Sequence, residues 1–346
     1  MKTIDLEPLV RKNIRALKPY SSARDEFQGD ASVFLDANEN PFNNPYDRYP
    51  DPKQWELKEA IATQKGIGKE QIMLGNGSDE PIDLAIRIFC EPGKENIVSI
   101  SPTYGMYKVA AGINNVEYRE VSLNSSFDFE SEELLKACDK NTKLIFICSP
   151  NNPTGNSLNK TEILNTIERF DGIVIVDEAY IDFSVRDSLL KELNSYPNLI
   201  VLQTFSKAWA SAGVRLGMAF ASEEIITLFN KVKYPYNINM LTQKYALNLL
   251  NEYPKIKNWI SMILQEREVL AKELNKLVCV EKIYPSDANF LLVKTKEANL
   301  TYQFLVERGI IVRNRNMVSL CGNCIRITVG TKAENQMLVE TLKMVK

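Results

Sequence analysis

Residues 143–180 read KLIFICSPNNPTGNSLNKTEILNTIERFDGIVIVDEAY. An apolar run, Lys143–Cys148, ends in a turn made of two prolines and a glycine, Ser149-Pro-Asn-Asn152-Pro-Thr-Gly155. A helix-patterned segment, Lys160–Phe170, follows, and then a second apolar run rich in β-branched residues, Ile173–Val176. Strand, helix, strand, with no polar alternation in the strands, is the pattern of a βαβ unit whose parallel strands are covered on both faces. Outward from this unit the pattern repeats. Asn96–Ile100, Leu199–Gln203 and Leu216–Phe220 read as further strands, and Pro52–Gln64, Asp79–Phe89 and Ser131–Ala137 as helices. The chain is therefore expected to be α/β, with a mostly parallel central sheet flanked by helices.

Beyond about residue 240 the texture changes. A long charged helical region, Tyr253–Leu277, precedes strand-like Asn289–Val293, helix-like Leu300–Arg308, strand-like Cys324–Val329 and a helix from Lys332. The expected division is an N-terminal arm that joins the small domain (1–45), a large domain (46–240) and a smaller α+β domain (241–346). The 346 residues suffice for one large and one small core. With a formal net charge of −2, the chain has no general attraction to nucleic acid or to an anionic membrane, so an anionic ligand needs a local site. Met1–Val10 carries Asp5 and Glu7 and does not read as a secretory leader, and no run is long and apolar enough to span a membrane. Six scattered cysteines read as reduced thiols, which points to the cytoplasm.

There are no histidines. Ser-His-Asp and Cys-His mechanisms and His-ligated metal sites are excluded, and acid–base work falls to Lys, Tyr, Asp, Glu or Cys. Thr204-Phe-Ser-Lys207-Ala-Trp-Ala-Ser-Ala-Gly213-Val-Arg215 places a lysine just past an apolar run, among hydroxyls, with an arginine eight positions on. Lys207 alone reads as an ordinary surface lysine. Thr204, Ser206 and Arg215 can converge on a phosphate, however, and a lysine beside such a cradle suits a cofactor held as a Schiff base. Asp177 ends the run Ile173–Val176 and reads either as a helix cap or as the carboxylate that keeps a pyridoxal ring nitrogen protonated. Tyr180 and Asn152 are placed to approach the cofactor's 3′ oxygen. Gly75-Asn-Gly77-Ser78-Asp79 opens a helix, with Ser78 as N-cap and free N–H groups suited to a phosphate. This is not the G-x-G-x-x-G of a dinucleotide site. In an open α/β sheet these points all fall where strands end and ligands bind.

On these residues the chain resembles the fold-type I aminotransferases of class II over nearly its whole length. Thr204–Gly213 fits that class's lysine signature without departure. Leu35-Asp-Ala-Asn38-Glu-Asn40-Pro41, Arg48-Tyr49-Pro50-Asp51-Pro52, Ser101-Pro-Thr-Tyr104-Gly-Met-Tyr107 and Cys324-Ile-Arg326-Ile-Thr-Val-Gly-Thr331 resemble the histidinol-phosphate aminotransferase branch most closely. The resemblance implies pyridoxal 5′-phosphate as cofactor, with Lys207 as its covalent anchor and Asp177 on the ring nitrogen. Asn152 and Tyr180 would contact the 3′ oxygen, and Tyr104 would stack on the ring. The backbone at Ser78 and Asp79, with Thr204, Ser206 and Arg215, would hold the phosphate. Arg326 and Arg313 would bind substrate anions, Asn38 would belong to the substrate site, and Tyr20 would lie on its cover. Tyr49 would reach into the partner's site of a homodimer. Arg315 adds a cation whose direction the sequence does not set.

The implied reaction moves an amino group between L-glutamate or 2-oxoglutarate and imidazole acetol phosphate or L-histidinol phosphate, in two ping-pong half-reactions. A broad aromatic aminotransferase and a phosphothreonine-type decarboxylase share most of these motifs. A non-catalytic protein of the same fold would be expected to lack Lys207 or Asp177. Cys321-Gly-Asn-Cys324 reads as incidental, since no second C-x-x-C and no histidine complete a zinc site. Gly66-Ile-Gly68-Lys69-Glu70 lacks the spacing and hydroxyl of a nucleotide loop.

Overall fold

The computed structural model describes residues 2, 4–21, 27, 29 and 31–345. Eleven α-helices and eleven strands are found among them. The helices are α1 (Lys12–Ala16), α2 (Trp55–Lys65), α3 (Asp79–Phe89), α4 (Met106–Ile113), α5 (Ser131–Lys136), α6 (Lys160–Arg169), α7 (Glu223–Val232), α8 (Met240–Asn251), α9 (Tyr253–Leu274), α10 (Ala298–Val306) and α11 (Lys332–Leu342). The first seven strands are β1 (Ile72–Asn76), β2 (Asn96–Ser101), β3 (Glu117–Ser122), β4 (Thr142–Cys148), β5 (Ile173–Asp177), β6 (Leu199–Thr204) and β7 (Leu216–Phe220). They form one sheet in the order β1-β7-β6-β5-β4-β2-β3. Its pairs are parallel from β6 through β3, and only β7 runs against its neighbours, β6 and β1.

The uninterrupted apolar runs are explained by burial on both faces. Val174 and Val176 of β5, with Ile145 and Ile147 of β4, enter a core shared with α2, α6, α8 and the start of α9. Ile173 and Ile175, with Leu144, Phe146 and Cys148, enter the opposite core against α3, α4 and α7. Leu6, Leu9, Val10 and Ile14 pack into that second core, so the start of the chain is tied to the large sheet. The remaining strands, β8 (Val280–Ile283), β9 (Phe290–Thr295), β10 (Arg313–Asn314) and β11 (Cys324–Thr328), form an antiparallel sheet in the order β10-β11-β9-β8. Its own core lies under α9, α10 and α11.

Because β7 is reversed, its beginning meets the carboxyl ends of β1 and β6 and lies on the same sheet edge as those of β4 and β5. Cys148 stands beside Asp177, Asp177 beside Leu202, Thr204 beside Gly217, and Gly217 beside Gly75. All the strand-end segments singled out in the sequence thus share one edge. The approach of β7 to the loop after β1 is very close. A Cβ at Gly217 would lie 2.2 Å from both Gly77 C and Ser78 N. Gly217→Ala is therefore expected to force the loop outward, at a cost of about 1–3 kcal/mol or more from overpacking. Denaturant unfolding of the purified variant against the parent measures this, together with cofactor affinity, which should fall with it.

Candidate active site

Asp177, the last residue of β5, is 3 % exposed, which places its carboxyl in the core side of the sheet edge. One oxygen accepts from the Tyr107 hydroxyl (2.8 Å) and the other from the Ala179 amide (3.0 Å). Burial pushes its pKa up, and these two bonds oppose that rise. No α-helix starts there, so Asp177 is not a helix cap. Tyr107 is fully buried on α4, and its ring stacks on Phe146 at 4.7 Å, which fixes the direction of its hydroxyl. The sequence reading gave Tyr107 no role. The sequence signal for it is its place three residues after Tyr104, in the first turn of a helix that the apolar pattern does not display.

Lys207 follows β6 in a turn where Ser206 N donates to Thr204 Oγ1 (3.0 Å). Thr204 Oγ1 in turn donates to Leu216 O (3.2 Å), so this hydroxyl is committed to shaping the turn. The Lys207 ammonium lies 5.5 Å from the Tyr180 ring centroid and makes no ion pair among the described residues. Burial, and then the nearby Arg326 charge, lower its pKa. Tyr180 is itself buried, edge-on to Phe290 at 5.2 Å, and burial raises its phenol's pKa.

The anion cup is built from opposite edges of the chain. Gly77 N donates to Arg215 O (2.9 Å), and Arg215 occupies the left-handed region at φ 57°. Its guanidinium donates to Ser206 Oγ (3.4 Å) and lies 3.6 Å from an Asp79 oxygen. Gly77, at φ 71°, leaves the space: a Cβ there would sit 2.4 Å from Arg215 Nη2. Asp79 also accepts from the half-buried Tyr104 hydroxyl (3.0 Å). Ser78 holds the N-cap position of α3, but at φ −71°, ψ −9° it is already helical and its hydroxyl makes no capping bond.

From the small sheet, Arg326 Nη1 donates to Asn152 Oδ1, joining β11 to the turn after β4. Arg326 Nε is buried without a partner. Arg313 is its register partner on β10. Three residues stand apart from this cluster within the single chain. Tyr20 is 69 % exposed, Asn38 is exposed at φ 55°, and Tyr49 stacks on Tyr236 at 4.5 Å.

An aromatic cofactor with a pyridine nitrogen, an aldehyde and a phosphate fits these groups. A buried carboxylate held at two points suits the nitrogen, and an unpaired lysine of lowered pKa suits the aldehyde. Arg215, Ser206 and the amides at the start of α3 suit the phosphate.

The family model for aminotransferase class I and II matches residues 31–342, and the chain belongs to that family of pyridoxal-phosphate-dependent transaminases. Within it, the chain is 58 % identical over 342 residues to the histidinol-phosphate aminotransferase of Parabacteroides distasonis, covering 99 % of each. The crystal structure of the histidinol-phosphate aminotransferase from Clostridium acetobutylicum superposes with a TM-score of 0.80 at 26 % identity, covering 87 % of this chain and 91 % of that one. The Sinorhizobium meliloti enzyme of the same name, solved with pyridoxal-5′-phosphate, shares the fold with a TM-score of 0.77 at 24 % identity, over 86 % of this chain and 82 % of that one.

Tyr107→Phe removes one of the two bonds that hold Asp177 ionised while keeping the ring stack. A hydrogen bond to a charged group contributes about 1.5–3 kcal/mol. Titration of the apo-protein with pyridoxal phosphate is expected to show affinity about tenfold weaker or more, with an unchanged fold by circular dichroism.

Proposed function

We propose that this chain transfers the amino group of L-histidinol phosphate to 2-oxoglutarate, and of L-glutamate to imidazole acetol phosphate, as a step of histidine biosynthesis. The observation that carries the reading is the position of Lys207: half-buried, 5.5 Å from the Tyr180 ring centroid, without an ion pair among the described residues, and within reach of the Asp177 and Arg326 charges. The names of relatives at 58 % identity over nearly the full length support the substrate assignment.

When bound, pyridoxal phosphate supplies an electron sink for the charge left on the substrate's Cα. Asp177 holds a proton on the ring nitrogen, and Tyr107 with the Ala179 amide keeps its carboxylate fixed. Asn152, already oriented by Arg326, and Tyr180 would hold the 3′ oxygen, and Tyr104 would hold the ring. The backbone amides of Ser78 and Asp79, with Ser206 and Arg215, would hold the phosphate, while Thr204, whose hydroxyl is engaged by Leu216 O, shapes the cup rather than donating to it. Lys207 Nζ must be neutral to take the Cα proton, and burial beside Arg326 favours that state. Arg326 and Arg313 bind the anionic end of either substrate, which lets two dissimilar substrates use one pocket.

We also infer a homodimer. Leu35 and Phe42 are 90 % and 92 % exposed in the segment that carries Asn38 and Tyr49, and a second copy would cover them. Tyr49 then faces the partner's site, and Tyr20 and Asn38 close over the substrate. Six free cysteines suit a reducing, cytoplasmic setting, and no helix among the described residues is long and apolar enough to cross a membrane.

The test is a half-reaction on the holoenzyme, followed by its visible absorbance, with L-histidinol phosphate, L-phenylalanine and O-phosphothreonine added separately. Fast bleaching by histidinol phosphate alone is expected. Faster bleaching by phenylalanine, or decarboxylation of phosphothreonine, sinks the substrate assignment. Asp177→Asn is expected to slow the half-reaction by about 10²–10³. The same variant should raise the apo-protein's melting temperature near neutral pH. A buried acid with a raised pKa opposes folding above its ordinary pKa, and the amide does not ionise.

A further inference from the structure

The three arginines of the small sheet leave it on one face. Arg313 stands directly across from Arg326, and Arg315 N donates to Cys324 O (2.9 Å), so the pairing runs one step past β10. Alternation along paired strands then puts Arg313, Arg315 and Arg326 on the same side. The other side of β11, Ile325 and Ile327, fills the small sheet's own core. Cys324, on the arginine side, packs instead into the cluster that underlies the large sheet. Arg315 and Arg326 therefore leave the sheet toward the seam between the two sheets, where Lys207 and Tyr180 lie, and Arg313, itself exposed, borders them.

This cluster is not neutralised from within. Among the described residues no Asp or Glu forms an ion pair with any of the three, and Arg326 alone donates a side-chain hydrogen bond, to Asn152. The Nε atoms of both Arg315 and Arg326 are buried without a partner. Burial, and then repulsion from Arg326 and Arg313, pulls Arg315 down to about 10, while the Tyr180 phenol acts in the opposite direction. The register already puts Arg315 on the face it shares with Arg313 and Arg326, across from Cys324. Crowded guanidiniums with unmet donors are relieved more by two negative charges than by one, and their planar forks match the oxygens of a phosphate.

We propose that Arg315 is a substrate-binding residue that selects a doubly charged phosphate ester over a singly charged carboxylate. The assignment rests on the functional reading above, in that the phosphate-bearing substrate enters this pocket. Arg313 and Arg326 suffice for the carboxylate of the amino donor, and Arg315 supplies the charge that only the phosphate ester requires. This gives one pocket two affinities without a moving part.

The experiment uses the holoenzyme, R315Q and R315K, with glutamate driving the half-reaction and inorganic phosphate as competitor at constant ionic strength. The cofactor fills the other phosphate cup, so inorganic phosphate reports on the arginine cluster. In the parent protein phosphate should inhibit, and more strongly as pH rises from about 6 to about 8 and the dianion forms. R315Q should weaken that inhibition about tenfold or more, as expected for a lost charge-assisted bond, while the apparent affinity for glutamate changes less than about threefold. R315K should recover part of the inhibition, which separates lost charge from lost fold. Absence of phosphate inhibition in the parent, or equal losses for phosphate and glutamate in R315Q, overturns the assignment. A parent inert to L-histidinol phosphate but showing Arg315-dependent phosphate inhibition overturns the functional reading and supports Arg315.

Discussion

Burying the Asp177 carboxyl disfavours its ionised form, yet the chemistry needs it ionised, and much of the surrounding structure follows from that conflict. The carboxyl sits at the end of β5, flanked by β4 and β6, with no lysine or arginine paired to it among the described residues. Neutral donors from two elements hold it instead: a backbone amide two residues on and a phenol carried by α4. A neutral donor stabilises the charge without cancelling it, so on the proposed reading the carboxylate would keep its full effect on a ring nitrogen. The Tyr107 ring is held for this by stacking on Phe146, two residues before Cys148 on β4.

The small sheet is coupled to this centre through the Tyr180–Phe290 contact and through the turn after β4. Residues 149–155 receive the Arg326 guanidinium at Asn152, and Gly155 O accepts from the Asp287 amide (2.7 Å). The Asp287 carboxylate returns a contact by accepting from Ser157 N (3.1 Å). The proline-rich turn is thus gripped from both ends by the small sheet and its approach loop. The Arg326 charge that meets this turn is also the one that, after burial, lowers the pKa of Lys207.

The sequence makes some of this visible and hides the rest for physical reasons. β2, β4, β5, β6 and β7 are legible because strands covered on both faces must be apolar throughout. β3 is hidden because it is an edge strand whose Glu117, Arg119 and Glu120 meet solvent. β1 is hidden because Gly75 and Asn76 interrupt a five-residue strand, and β10, two residues long, exists only through its pairing with β11. Among the site residues, Lys207, Asp177, Asn152, Tyr180 and Arg215 stand at strand ends that the pattern marks, and the structure brings them together. Tyr107 is on an unforeseen helix, and the direction of Arg315 is set by the register of a pair the sequence does not display. Tyr20, Asn38 and Tyr49 lie apart from the cluster in one chain, since folding of a single copy leaves their segments on the outside.

The order of the large sheet has a consequence for when the cofactor site comes into being. The phosphate cup joins Gly77, near the start of the sheet, to Arg215, at its last strand, and β1 has no neighbour but β7. Every other strand of the sheet is synthesised between the two halves of the cup. A nascent chain still on the ribosome cannot assemble the cup until β7 has emerged and β1 has been captured at the edge. On the proposed cofactor site, capture would mark the closing of the large sheet, since a chain arrested between residues 207 and 215 holds the lysine but lacks Arg215.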